Sequence, residues 1–246
     1  MEVKFKIFRF DPETDKKPRY DFFAVETDLN ERILDCLNKI RWEQDSSLAY
    51  RMSCAHGICG SDGLTINGSP ALACQKLVKD FDCKKPIVVE PLKFFPMIKD
   101  LVVDIESFFN RIEAAIPDVI NRAETEPTAK EYVQEPQERC MFDDAIKCIL
   151  CACCIAACPV MLEEDPEFVG PAAILRSHRY IFDSRVLETA EYMKVVEKPH
   201  GIWSCKSYYK CTQVCPKRIE VTQAILKTKK KILQQLHPKK KKENSR

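Results

Sequence analysis

Several things are missing from this 246-residue sequence, and each absence narrows what it can be. No run approaches the roughly 18 consecutive apolar residues needed to span a bilayer, so a soluble body is expected. The N-terminus, Met1-Glu-Val-Lys-Phe5, lacks the charged-then-apolar layout of a secretory signal. No G-x-G-x-x-G occurs, which removes the dinucleotide-binding fingerprint. No nucleophile–base pairing stands out.

Cysteine, by contrast, is abundant: there are fourteen. Without an export signal they argue against a disulfide framework, because reducing compartments keep thiols reduced. Thiolates at short fixed spacings then point to metal. Charge is unevenly spread. Nine basic residues against Glu243 make Lys227–Arg246 a local +8, so with a total of +2 the rest sums to −6.

The first hundred residues read as mixed α and β. Val3, Phe5 and Ile7 alternate with charged residues, a half-buried strand, and Tyr20–Val25 pairs with it across the Asp11–Lys17 turn region. Asp28 and Glu31 have capping-box spacing ahead of Ile33, Leu34, Leu37 and Ile40. Leu64–Ile66 leads into Asn67-Gly68, a hairpin turn pair, and Ile87–Val89 is a further short strand. Beyond about Asp104 helical signals take over. Phe108, Phe109, Ile112, Ala115 and Ile116 suggest a helix limited by Pro117, and Glu124–Glu138 reads as an extended surface connection. Pro171 opens a helix carrying Ile174, Leu175, Ile181 and Phe182 inward. A last helix after Pro216 has Val221, Ile225, Ile232 and Leu236 as its apolar stripe.

Cys54-x4-Cys59-x2-Asp62 followed by Cys74 has plant-type [2Fe–2S] spacing with one substitution. Backbone N–H groups must turn toward sulfur in so tight a loop, and Gly57, Gly60 and Gly63 supply the freedom. Asp62 stands where the third Cys belongs and reads as an oxygen ligand. Ser61 is the alternative, with Asp62 then only a neighbouring carboxylate. A Cys3Asp zinc site is allowed on coordination grounds, but the glycine-rich loop disfavours it.

Seven further cysteines form two runs, each ending in Cys-Pro. Cys148-x2-Cys151-x2-Cys154-x3-Cys158-Pro159 matches the bacterial ferredoxin run, whose fourth Cys serves the other cluster. The partner run is Cys205-x5-Cys211-x3-Cys215-Pro216, with Tyr208 where the central Cys belongs. The spacing assigns Cys148, Cys151, Cys154 and Cys215 to a [4Fe–4S] cluster. Cys158, Cys205 and Cys211 are left as three thiolates, which suit a [3Fe–4S] cluster. Cys36 reads as a core residue, Cys83 and Cys140 as ordinary thiols, and Cys153 as a neighbour that competes with Cys154 but fits the spacing less well. His56 reads as an exposed loop residue and His178 as a helix packing residue.

Arg51-Met-Ser-Cys-Ala-His-Gly-Ile-Cys-Gly-Ser-Asp-Gly63, Lys99–Asp104, Cys148–Cys154 and Phe182-Asp-Ser-Arg185 together resemble the iron–sulfur subunit of succinate dehydrogenase and fumarate reductase, over nearly the whole chain. The resemblance implies an α+β fold. A β-grasp [2Fe–2S] ferredoxin domain (1–104) would precede an all-α bacterial-ferredoxin-like domain (105–238) and a basic tail (239–246). Some family members carry Asp at the third [2Fe–2S] position. The family passes single electrons from the FAD of a flavoprotein subunit, through three clusters, to a quinone at a transmembrane anchor. That implies a peripheral place on a membrane: the cytoplasmic face in a prokaryote, the matrix side of the mitochondrial inner membrane otherwise. Pro159 is retained at the quinone end. Leu162 and Glu163 replace the Trp pair of ubiquinone-using relatives, and Lys206 replaces their His, so menaquinone is a reasonable acceptor.

Two other readings compete. A cluster subunit of a thiol-linked fumarate reductase or glycolate-oxidase-type complex would often show a full second Cys run or extra cysteine-rich domains, and neither is visible. A nucleic-acid-binding protein with structural clusters would use the lysine-rich end on phosphate, but the basic face is confined to that end and no nucleic acid is expected. Lys239–Lys242 reads equally as a solvated end or as a contact to anionic headgroups.

Overall fold

The computed structural model describes residues 1–117 and 133–235. Leu236, the basic stretch 239–246 and most of the 124–138 connection lie outside the described residues.

Strand β1 (Glu2–Arg9) forms where apolar residues alternate: Val3, Phe5 and Ile7 are fully buried. It pairs antiparallel with β2 (Arg19–Glu26), in register from Glu2↔Glu26 to Arg9↔Arg19. β3 (Gly63–Ile66) and β4 (Ser69–Leu72) form the expected hairpin. Asn67 and Gly68 both have positive φ, 46° and 79°, as a type I′ turn requires. β5 (Ile87–Glu90) lies between β1 and β3, giving the order β2-β1-β5-β3-β4.

Helix α1 (Ile33–Lys39) runs on into a wider turn at Ile40–Gln44 and packs Ile33, Leu34, Leu37 and Ile40 into the sheet's core. Burying each such side chain contributes about 1.5–3 kcal/mol. The expected Asp28/Glu31 cap is not what starts the helix. Asp35 instead accepts the Arg32 backbone N–H at 3.1 Å and its guanidinium at 2.7 Å. Glu31 is drawn away to the Thr27 hydroxyl and Lys39.

The inner face of β1 ends on a charge. Arg9 is 3% exposed. Its guanidinium donates to Asp100 at 3.1 Å, to Asp21 at 3.3 Å, to Ser47 at 2.8 Å, and to Asp45. Asp100 also accepts the backbone N–H groups of Phe10 and Ala49, so one ion cluster ties three segments together. A ribbon of β6 (Met97–Lys99) and β7 (Val102–Val103) follows. Leu92, Phe95 and Val103 already pack in the second core.

That second core is helical: α2 (Glu106–Ala114), α3 (Pro136–Cys140), α4 (Asp143–Ile146), α5 (Cys153–Ala156), α6 (Pro171–Ile181), α7 (Thr189–Glu197), α8 (Lys210–Gln213) and α9 (Val221–Gln235). α6 lies against α2, α4, α5, α7 and α9. Ile174, Leu175 and Ile181 are buried as expected, but Phe182 is only half-buried, its ring centroid 4.4 Å from that of His178. Residues 136–138 are helical rather than extended, with Pro136 at the first helical position, where its fixed φ and missing N–H carry no penalty. The architecture is α+β: a mixed sheet with one packed helix, then short helices around two facing loops.

Candidate metal centres

The Cys54–Asp62 loop is built around its sulfurs. Ala55, Gly57 and Gly60 all take positive φ (57°, 75° and 71°), which turns successive N–H groups inward. The His56 and Cys59 N–H groups donate to Cys54 Sγ at 3.5 and 3.3 Å. These donors, His56 first, pull the Cys54 thiol down to about 6. Hydrogen bonds to the charged form have that effect.

Asp62 is 3% exposed, and the Cys74 N–H donates to its Oδ2 at 2.6 Å. Burial, and then the Asp62 carboxylate, push the Cys74 thiol up to about 12. Ser61 is less buried, and its hydroxyl lies 3.2 Å from Cys59 Sγ. Gly63 differs from the sequence expectation. It sits in β3 without the positive φ of Gly57 and Gly60, so it supplies room rather than backbone freedom. His56 is exposed, its Nδ1 against the Cys54 carbonyl.

The two Cys-Pro runs face each other. Cys148, Cys151, Cys154 and Cys215 line one cavity, closed by Phe108, Leu175 and Val221. Burial first, and then neighbouring Cys151 and Cys148, push the Cys154 thiol well up. Burial also raises Cys148 and Cys215. The Cys153 thiol lowers Cys151 by donating to it and is itself pushed well up. Cys153 is fully buried and packs in the first core, not into the cavity.

Cys158, Cys205 and Cys211 line the second cavity, together with Pro159, Lys206 and Tyr208. Burial pushes Cys211 up to about 11, with the Thr222 hydroxyl 3.3 Å from its sulfur. Leu162 is not in this lining; it lies on the Val160–Glu164 turn, 37% exposed. Tyr208 is half exposed and donates from its hydroxyl to Glu164 at 2.7 Å.

The two runs repeat each other in backbone as well as in spacing. Leu150 and Ala152 take φ of 56° and 61°, and their counterparts Ser207 and Tyr209 take 59° and 62°. The loop around Tyr208 therefore keeps the shape of the Cys148–Cys154 loop, although the thiol at the position of Cys151 is missing.

These donor sets fit iron–sulfur groups. Each includes at least one thiol, Cys74, Cys154 or Cys211, whose ionisation burial and neighbouring negative charge oppose, a cost that bound cations remove. Among the described residues, no three His, Cys, Asp or Glu side chains close on a single metal ion; the thiols of the two Cys-Pro runs are spread around cavities.

Several supporting residues carry no local sequence signal. The Arg32 guanidinium donates to the Ala55 carbonyl. Thr212 accepts the Thr222 N–H at 3.0 Å. Lys229 donates to the Cys205 carbonyl at 2.7 Å. Asp165 accepts from the Ser204 hydroxyl and pairs with His200 Nδ1, both at 2.8 Å, which fixes the approach to Cys205. All but the Thr pair bridge residues more than twenty apart.

Residues 4–110 match the model of a 2Fe-2S iron-sulfur cluster binding domain, and residues 144–219 that of a 4Fe-4S dicluster domain. The chain is 39% identical over 235 residues to the succinate dehydrogenase iron-sulfur subunit of Coxiella burnetii, covering 95% of this chain and 98% of that one. It is 37% identical over 227 residues to the fumarate reductase iron-sulfur subunit of Mycobacterium tuberculosis, covering 92% and 91%. A chain of the Mycobacterium smegmatis Sdh1 complex in the apo form superposes with a TM-score of 0.85 at 26% identity, covering 96% of this chain and 98% of that one. The protein described here therefore belongs to the family of iron–sulfur subunits of succinate dehydrogenase and fumarate reductase.

Proposed function

We propose that this chain relays single electrons between the FAD of a flavoprotein partner and a quinone held at a membrane-anchor partner. The carrying observation is the contiguity of three thiol-lined sites. Gly60, one residue after Cys59, abuts Cys151, and α5 packs on α8, bringing the two Cys-Pro runs together.

In this reading Cys54, Cys59, Asp62 and Cys74 hold a [2Fe–2S] cluster. Cys148, Cys151, Cys154 and Cys215 hold a [4Fe–4S] cluster, and Cys158, Cys205 and Cys211 a [3Fe–4S] cluster. These groups, when bound, supply the one-electron redox chemistry that links a two-electron flavin to a quinone. The chain's own residues set the conditions. Inward N–H groups of the Cys54–Asp62 loop favour charge on sulfur, as hydrogen bonds to ligand sulfurs raise a cluster's potential. The Cys153 thiol does the same at Cys151. Buried Asp62, its Oδ2 already oriented by the Cys74 N–H, is the better-supported fourth ligand of the first site, since Ser61 is turned to Cys59.

Tyr208 closes the third site without a thiol. Lys206, Pro159 and the exposed Leu162 mark the quinone end, and the departure of Leu162, Glu163 and Lys206 from the ubiquinone pattern supports menaquinone as acceptor. A boundary near residue 104 separates the one-cluster domain from the two-cluster domain. Among the described residues no helix is long and apolar enough to cross a membrane, and a peripheral position is proposed, on the cytoplasmic face in a prokaryote. EPR of the purified complex at graded potentials tests the reading. A reduced [2Fe–2S] signal, an oxidised [3Fe–4S] signal and about nine iron atoms per chain are expected; zinc, or iron far below that, sinks it. Turnover with defined ubiquinone and menaquinone analogues tests the acceptor, and equal rates with both remove the menaquinone assignment.

A further inference from the structure

Two glycines meet one cysteine across the seam between the two halves of the molecule. A Cβ on Gly60 would lie 2.9 Å from the Ile149 carbonyl oxygen, 3.0 Å from Cys151 Cβ and 3.1 Å from Cys151 Cα. A Cβ on Gly63 would lie 3.0 Å from the Cys151 carbonyl oxygen and 3.2 Å from Leu92 Cδ1. A methyl group at Gly60 would displace the Ile149 backbone, and one at Gly63 would make the Cys151 carbonyl give by a few tenths of an ångström. The other two glycines of this region behave differently. A Cβ on Gly57 would strike only the flexible Gln75 amide, and one on Gly68 would meet nothing within 4 Å.

We propose that Gly60 and Gly63 are positioning residues for electron transfer: by lacking side chains, they let the loop of the first site touch the backbone of Cys151 in the second. The inference rests on the ligand assignments above, since Gly60 follows Cys59 directly, Gly63 follows Asp62 directly, and Cys151 belongs to the second set. Tunnelling falls off exponentially with separation. A spacer of one methyl group placed on this line therefore acts on the rate while leaving both ligand sets intact. One electron leaves the first site and reduces the second; no bond forms or breaks.

Gly63 is the more informative position, because its backbone does not require glycine. Gly60 has φ +71°, so an alanine there adds backbone strain to the spacing effect. Gly68→Ala carries comparable strain in the same domain with no contact to the seam, and serves as the control.

The test uses the purified complex. Iron and sulfide content and the integrated EPR intensity of each reduced cluster establish loading. The spin–spin broadening between the fully reduced first and second clusters, and the rate of single-turnover transfer between them, read the separation. Gly63→Ala and Gly60→Ala are expected to keep full loading, weaken the broadening and slow transfer by up to about twofold, Gly60→Ala more than Gly63→Ala, while Gly68→Ala leaves the broadening as it was. Unchanged broadening in a fully loaded Gly63→Ala complex overturns the proposal. So does loss of the first cluster from both seam variants, which would make the glycines a folding requirement of the loop. Absence of either reduced signal from the unmodified complex would overturn the ligand assignment itself, a separate outcome.

Discussion

The backbone N–H of Cys74 donates to Oδ2 of Asp62 at 2.6 Å, twelve residues away across the β3–β4 hairpin. The hairpin therefore delivers a thiol and at the same time aims the carboxylate beside it. Asp62→Ala removes the oxygen donor and leaves a buried N–H without a partner. It is expected to lower iron content by about two atoms per chain. Asp62→Cys restores four donors and is expected to keep the cluster with an altered EPR line shape. Full iron and an unchanged spectrum in Asp62→Ala would remove Asp62 from the ligand set.

The repeated backbone of the two Cys-Pro runs gives a second expectation. Ser207 and Tyr209 hold the conformation of Leu150 and Ala152, so a thiol at position 208 points where Cys151 does in its own loop. Tyr208→Cys is expected to add about one iron atom per chain and to replace the oxidised [3Fe–4S] signal by a reduced [4Fe–4S] one. Persistence of the oxidised signal with no added iron would show that something other than the missing thiol sets the third cluster.

Arg9 provides a stability test away from any cluster. Its guanidinium is the shared partner of Asp21, Asp45 and Asp100. Ser47, burial notwithstanding, and Arg9 hold the Asp45 carboxyl down to about 2. Arg9→Met leaves Asp100 buried with only the Phe10 and Ala49 N–H groups and no ion partner, a change worth about 3–5 kcal/mol. A thermal scan of the variant complex checks it, and a Tm within a degree or two of the parent would contradict the assignment. The same network weakens in acid. A depressed folded pKa contributes stability above the ordinary carboxylate range and loses it as pH falls toward 2.

His178 should give a pH dependence of its own. Burial first, with Lys227 and Lys231 adding repulsion, pushes its pKa down to about 4 against hydrogen bonding to Met141. Its Nδ1 is 2.9 Å from Thr228 Oγ1 and its Nε2 is 3.3 Å from the Met141 carbonyl oxygen. The neutral ring is the folded form, so stability is complete above about 6.5 and falls as pH drops toward 4, by up to about 3 kcal/mol. Tm measured from pH 7 to 4.5 should fall less steeply in His178→Gln than in the parent. Parallel curves would show that the ring titrates normally.

Much of this was legible in the sequence because it is local. Strand β1 follows from alternation, the β3–β4 hairpin from Asn67-Gly68, and the pairing of the Cys-Pro runs from their spacing. What stayed hidden depends on distance along the chain. The Arg9–Asp100 pair joins residues ninety-one apart, and nothing near either marks the other. The α1 cap is not legible there, because Glu31 has the right spacing but is claimed by Lys39, a choice only the folded helix reveals. In the sequence Gly60 and Gly63 signal only conformational freedom. Only the packed seam shows that both also stand where a side chain would meet Cys151.

The exchange of a final cysteine between the two runs also bears on biogenesis. Cys158 lines the cavity of the later run, and Cys215 that of the earlier one. The later cavity lacks a thiol until the polypeptide has been made as far as Cys211, and the earlier one until Cys215, so iron delivery to both must follow synthesis of both Cys-Pro runs. Once closed, the two behave like interlocked links.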